Sequence, residues 1–118
     1  MKPRIIEDPI YQLLREEKID EFNDARKDQP DIDFTSCDFR GLDLREMDVE
    51  GIDFGDAYFR GADLRGIDFR KANIVGASFA SAQISGCYLP ANIDAAEMEL
   101  SLSRGTRLRA NSLVDSDQ

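Results

Sequence analysis

The sequence predicts an all-β solenoid closed at both ends by α-helices. Three observations carry this expectation. First, every fifth residue from Phe34 is bulky and apolar: Phe34, Phe39, Leu44, Val49, Phe54, Phe59, Leu64, Phe69, Ile74, Phe79, Ile84 and Leu89, twelve times without an insertion. Second, the position two before each of these is small or medium apolar: Ile32, Cys37, Leu42, Met47, Ile52, Ala57, Ala62, Ile67, Ala72, Ala77, Ala82 and Cys87. Third, the position just before the bulky residue is mostly polar and often Asp, the one after it is often Arg, and the next is often Gly. A period of five fits neither a helix, at about 3.6, nor a strand, at about 2. It marks a unit that bends the chain once every five residues. Two of every five side chains then face inward, and Gly relieves the corner between units. Four bends close a square, which makes a coil of about twenty residues that hydrogen-bonds to its neighbours like a parallel strand.

The chain reads as one domain of 118 residues, with a helical cap over 1–30, a solenoid over 31–91 and a capping helix and tail over 92–118. Asp8-Pro9 is a helix start, Asp8 as N-cap and Pro9 at the first helical position, where its missing N–H costs nothing. The apolar positions that follow do not stay on one face of a straight helix. A break near Lys18 repairs this and predicts helices over 9–17 and 20–27, with Asp20 capping the second. Leu13, Leu14, Ile19 and Phe22 would cover the apolar end of the first coil, whose open strand edges otherwise invite aggregation. The alternative use, an amphipathic helix for a partner groove or a membrane surface, is disfavoured for anionic lipid by an acidic polar face. Gln29-Pro30 ends the segment.

Three coils follow, over 32–51, 52–71 and 72–91, for a solenoid about 14 Å long at about 4.8 Å per coil. The first two carry Asp/Arg ladders. The third, ANIVGASFASAQISGCYLPA, has no charged residue. Either the C-terminal segment folds back over part of it, or it is a contact surface for a partner or a second copy. Lack of charge and a central tyrosine are marks of an interface core. The candidate protein-binding residues are Val75, Ala80, Ser85, Tyr88 and Pro90.

Beyond Pro90 the register fails at Asp94, and a helix is predicted over 95–104. Asp94 and Glu97 have the spacing of a capping box, Ile93 and Met98 that of a hydrophobic staple, and Gly105 suits the end. Arg104, Arg107 and Arg109 make a net-basic patch that serves either the helix dipole or an acidic partner. The last residues, SLVDSDQ, are polar and expected to fray.

The solenoid run resembles the pentapeptide-repeat proteins, whose pattern is A(D/N)LXX. ADLRG at 62–66 fits it directly, ANIVG at 72–76 nearly so, and LDLRE, IDFRK and CDFRG fit with a larger residue at the Ala position. The resemblance implies a right-handed quadrilateral β-helix of about three coils and a bacterial source. Some relatives are known to act on DNA gyrase by imitating a DNA duplex and to give quinolone resistance. The resemblance therefore admits a gyrase modulator as an alternative, with Asp33, Asp48, Glu50 and Asp53 as the mimicking carboxylates.

Charge and composition weigh the remaining classes. The net charge of −9 argues against direct nucleic-acid binding. It is spread evenly: nine acids against six bases over 1–31, ten against six over 32–91, and five against three over 92–118. Five arginines on the first two coils weaken any duplex-like potential, and a rod of about 14 Å matches only about four base pairs. There is no apolar run of about 18 residues and no signal-peptide core at the start, so a cytoplasmic, non-membrane protein is expected. Cys37 and Cys87 both face inward and lie two and a half coils apart, which places them on different sides and disfavours a disulfide. With no His, a catalytic triad and Cys/His zinc spacing are out of reach. The glycines recur singly at corners and make no phosphate loop, and the Asp spacing matches no EF-hand. The expectation is a non-enzymatic protein-interaction or scaffold module, regulatory in role, with no cofactor or metal, a protein partner and a possible homodimer.

Overall fold

The structure is a computed structural model that describes residues 2–111. The polar tail at 112–118 lies outside the described residues.

Residues twenty apart sit over one another. Strand β1 (Ile32–Asp33) pairs in parallel with β2 (Ile52–Asp53), Ile32 opposite Ile52. The same offset continues as isolated parallel bridges: Asp53 with Asn73, Asp38 with Tyr58 and Tyr58 with Ser78, Asp43 with Asp63 and Asp63 with Gln83, and Asp68 with Tyr88. Three twenty-residue layers are thus joined along four columns. The N–H groups of Phe34, Phe39, Leu44, Phe54, Phe59, Leu64 and Phe69 each donate to the carbonyl nineteen residues on, at 2.8–2.9 Å.

The regular sheet is nonetheless small, two strands of two residues each. The corners explain this. At the second residue after each bulky centre the backbone turns left-handed, at Ser36, Gly41, Glu46, Gly51, Asp56, Gly61, Gly66, Gly76, Ser81 and Gly86. An extended run cannot survive such a residue, so no strand lengthens. Glycine suits these corners, and Gly51 has a second reason: a Cβ there would run into the Pro30 carbonyl. Lys71, and Ala91 at the exit, depart from the rule.

The bulky centres form the core. Phe34, Phe39, Phe54, Phe59, Phe69 and Phe79 are fully buried, with Leu44, Leu64 and Ile74 among them. Along one column Phe39 and Phe59 stack at 5.2 Å between centroids, and Phe59 and Phe79 follow at 4.9 Å. The small residues Cys37, Ala57 and Ala77 lie beneath that same column, all buried, and make room for the rings.

The N-terminal end is sealed. Helix α1 (Pro9–Arg15) starts at Asp8, whose carboxylate accepts from the Ile10 N–H at 2.9 Å, as the sequence predicts. Helix α2 (Ile19–Ala25) follows after a left-handed Glu17, and a 3₁₀ turn closes the segment at Arg26–Asp28. Both helices end two residues short of their expected ends. Asp20 does not cap α2: Lys18 holds that position without a side-chain bond, and Asp20 lies in the first turn, where it still complements the dipole. Leu14 and Phe22 are buried on the first layer, and Leu13 and Ile19 pack beside them. The larger plug is Tyr11, which lies edge-on to Phe39 and donates its hydroxyl to the Asp38 carbonyl at 2.7 Å. Arg4 adds a parallel bridge to Cys37, so the N-terminal stretch itself pairs with the first layer.

Helix α3 (Ala95–Arg104) matches its expected bounds and ends at a left-handed Gly105. Ile93 and Met98, the staple positions, are both buried. The capping box does not form. The Asp94 carboxylate accepts from the Asn111 side chain at 3.0 Å, and Glu97 turns to Arg109 at 2.8 Å. Side chains from beyond the helix, a guanidinium for Glu97 and a neutral amide for Asp94, take the place of the local backbone N–H groups.

Candidate functional site

The outward face of the first two layers carries four closed Asp-x-Arg ion pairs. In each Asp-x-Arg unit the carboxylate accepts from the backbone N–H and the guanidinium of the arginine two residues on. Arg40 Nε meets Asp38 at 2.9 Å, Arg45 Nη2 meets Asp43 at 2.7 Å, Arg65 Nη2 meets Asp63 at 2.7 Å, and Arg70 Nη2 meets Asp68 at 2.8 Å. Arg45 also reaches along its column to Asp63, at 3.3 Å. The side-chain bond from each arginine, with the backbone N–H and charge beside it, holds these carboxyls below the ordinary aspartate range, Asp43 and Asp68 down to about 2. Groups so firmly ionised are poor proton donors at neutral pH.

The four carboxylates considered for duplex mimicry do not stand free. Asp33 accepts from the Thr35 hydroxyl at 2.7 Å and lies 3.9 Å from Arg4. Asp48 lies 3.8 Å from the buried Arg26, and Glu50 pairs with Lys71 at 3.3 Å. Asp53 accepts from Gly55 N–H and from the Asn73 amide, both at 2.8 Å. Cations therefore offset three of the four.

Among the described residues, the third layer is covered on two columns and open on two. The segment after α3 folds back over the first and second. Gly76 N–H donates to the Leu108 carbonyl at 2.7 Å, and Leu108 N–H returns a bond to Ala77 at 2.9 Å. Ser81 N–H donates to Leu102, and Phe79 N–H to the Ser101 hydroxyl. This cover buries Ala80 and half-buries Val75. Pro90 is buried at the exit. Of the five expected contact residues, only Ser85 and Tyr88 are exposed, which corrects the surface to the third and fourth columns. Tyr88 is 56% exposed, and Arg70 from the layer below lies over its ring at 4.5 Å.

The edge of those two columns is the part that sequence reasoning missed. One layer down, the N–H groups of Leu64, Gly66 and Phe69 donate to Gln83, Ser85 and Tyr88. Their counterparts in the last layer are Ile84, Gly86 and Leu89. Among the described residues, the backbone N–H groups of these three have no hydrogen-bond partner. The inward side chains Ala82, Ile84, Cys87 and Leu89 are only half-buried there. The opposite end treats the same columns differently. Glu17 accepts from Asp43 N–H at 2.6 Å, Asn23 bridges Glu46 and Asp48 at 2.8 Å each, and Arg26 donates to the Asp48 carbonyl at 3.0 Å. The missed signal was the register itself: the last four inward residues of a stack need a cover, and ten residues of α3 span only part of the end.

The cysteines are free thiols. Burial pushes Cys37 up to about 11 and raises Cys87 too, whose Sγ donates to the Leu64 carbonyl at 2.9 Å. Both shifts favour the neutral thiol over the thiolate. Among the described residues no group of three or more His, Cys, Asp or Glu is placed to hold a metal ion. Among the same residues no helix is long and apolar enough to cross a membrane. Comparison with known proteins finds a match to the family model described as pentapeptide repeats, in eight copies over residues 52–89. No curated protein and no solved structure matches.

Proposed function

Because the chain is a pentapeptide-repeat protein, with the repeats matched over 52–89, we propose that it is a non-enzymatic protein-interaction or scaffold module that binds through the open edge of its third layer. The columns are read as the faces of a right-handed quadrilateral β-helix of about three coils, in keeping with the twenty-residue offset of every bridge between layers. The observation that carries the interaction reading is the contrast between the two ends. Side chains of Glu17, Asn23 and Arg26 satisfy the third and fourth columns at the front, whereas the N–H groups of Ile84, Gly86 and Leu89 at the back meet nothing among the described residues. An edge of this kind accepts an extended segment by strand addition, with Ala82, Ile84, Cys87 and Leu89 as the apolar floor. The surrounding layer is uncharged, so a chain of net charge −9 can meet a second copy there without like charges opposed. Because α1 and α2 block the front, two copies would meet back to back on a two-fold axis and form a closed dimer.

The test is a tagged pull-down from native lysate with mass spectrometry, beside light scattering of the purified chain. Wild type is expected to hold a stoichiometric partner or to dimerise. Ser85→Asp with Tyr88→Asp, and separately Ala82→Glu, are expected to abolish this while circular dichroism stays unchanged. A monomeric wild type that captures nothing, or variants that bind as wild type does, would overturn the reading.

A further inference from the structure

Of the five units with Arg after the bulky centre, one lacks the Asp before it, and that releases an arginine. In four units an Asp stands two residues before an Arg and the pair closes: Asp38/Arg40, Asp43/Arg45, Asp63/Arg65 and Asp68/Arg70. In the unit at 57–61 that position is Tyr58, so Arg60 has no carboxylate of its own. Arg60 is exposed and forms no ion pair among the described residues. Two more arginines converge on it from the far end of the chain. Arg104, the last residue of α3, is likewise exposed and without an ion pair among the described residues. Arg107 is held in place. Its Nη1 donates to the Gly76 carbonyl at 2.9 Å, its Nη2 to the Tyr58 hydroxyl at 2.8 Å, and its guanidinium lies over the Tyr58 ring at 5.1 Å. Asp56, 3.9 Å from Arg107, is the carboxylate on this arginine, and Arg40 at the rim is already closed on Asp38.

Together Arg60, Arg104 and Arg107 border a shallow recess of about 340 Å³, with Tyr58 and Ser78 in it. The basic patch expected at 104–109 thus divides: Arg109 goes to Glu97, while Arg104 and Arg107 join Arg60, forty-four residues earlier. On a chain of net charge −9, this leaves two guanidiniums without an ion pair among the described residues, beside a third that is pre-positioned.

We infer that this recess binds a phosphate group. Two unpaired guanidiniums match the charge of a phosphate dianion, and the planar fork of arginine pairs with phosphate oxygens two at a time. A recess of this size takes one tetrahedral group and the atoms next to it. The phosphate comes either from the free ion or small phosphate ester, or from a phosphorylated side chain on a protein. The site lies on the second column, away from the open edge of the third and fourth. It stands or falls separately from that edge.

Titration of the ¹⁵N-labelled full chain at low ionic strength, where exposed charges are least screened, tests this with three probes: inorganic phosphate, a phosphoserine peptide, and the same peptide with Glu in place of phosphoserine. Saturable shifts are expected at the amides of Tyr58, Arg60, Ser78, Arg104 and Arg107. Stronger binding of inorganic phosphate assigns a free ion or small ester, and stronger binding of the phosphopeptide assigns a protein partner. Arg60→Gln and Arg104→Gln are each expected to weaken binding about tenfold, the scale of one charged hydrogen bond. Tyr58→Asp restores the carboxylate that the other four units carry, and is expected to abolish binding with the remaining spectrum intact. No saturable shift with either phosphate probe overturns the inference. So does equal binding of the Glu peptide, or binding that survives the Arg60→Gln/Arg104→Gln double variant.

Discussion

Replacing Phe59 with alanine tests the stack at its centre. Phe59 is fully buried and lies between Phe39 at 5.2 Å and Phe79 at 4.9 Å along its own column. Phe54 at 5.3 Å and Phe69 at 6.5 Å meet it edge-on from the sides. Truncation removes the ring's burial and leaves a cavity walled by other rings, which cannot close without moving both adjacent layers. The expected loss is about 3–5 kcal/mol, against a total stability of about 5–15 kcal/mol for a domain of this kind. Phe59→Leu keeps most of the volume, and the pattern already carries Leu at the same centre position in Leu44 and Leu64, both fully buried. It forfeits the ring–ring geometry, about 0.5–1.5 kcal/mol per pair, while its methyls recover part of the packing, so about 1–2 kcal/mol is expected. Urea unfolding followed by circular dichroism at constant protein concentration reads both. At a slope of about 1–3 kcal/mol/M, the alanine midpoint falls by about 2 M and the leucine midpoint by less than half of that. An alanine variant within about 1 kcal/mol of wild type, or equal losses for the two substitutions, would refute the claim that the ring column holds the layers together.

Three further outcomes follow from the same geometry. Glu46 is exposed and sits left-handed at φ 71 where most corners have Gly. Glu46→Gly is expected to raise stability by about 0.5–1 kcal/mol in the same assay, since relief of the left-handed penalty exceeds the entropy that Gly adds to the unfolded chain. The carboxyls of Asp38, Asp43, Asp63 and Asp68 sit below the ordinary value of 3.8 in the folded chain because arginine side chains bond them, with Asp43 and Asp68 near 2. Their stabilising contribution is therefore full above about pH 4 and disappears as pH falls towards 2; the urea midpoint should drop through that window, and drop less in Arg70→Gln. Gyrase supercoiling assays with added protein are expected to show no inhibition, because Arg4, Arg26 and Lys71 offset Asp33, Asp48 and Glu50; inhibition that fades in Asp33→Asn/Asp53→Asn would restore the mimicry reading.

The twelve centres from Phe34 to Leu89 were readable because their period is local and rigid: each position repeats the environment of the one five before. Helix α3 was readable for the same reason, through Ile93, Met98 and Gly105. What was not readable depends on partners brought from a distance. Asp94 and Glu97 have capping-box spacing, but Asn111 and Arg109 return from beyond the helix and take them. Tyr11 gives no sign along the chain that its hydroxyl reaches Asp38. The buried Ala80 and the exposed Tyr88 occupy outward positions of one uncharged layer; only the path of the chain from Gly105 to Leu108 decides which is covered. The unpaired Arg60 was visible in principle as the one Tyr-x-Arg unit among four Asp-x-Arg units, though its convergence with Arg104 needed the fold.

The twenty-residue offset also sets how the chain must find its fold. Every bridge between layers closes a loop of the same length, so the entropic cost of closure is the same at each step and rises only slowly with loop size. No pairing has to wait for the two ends of the chain to meet. Once one pair of layers has formed, each further layer pairs with an existing template. The first closure has no template, and each later layer adds at the cost of one loop of the same length.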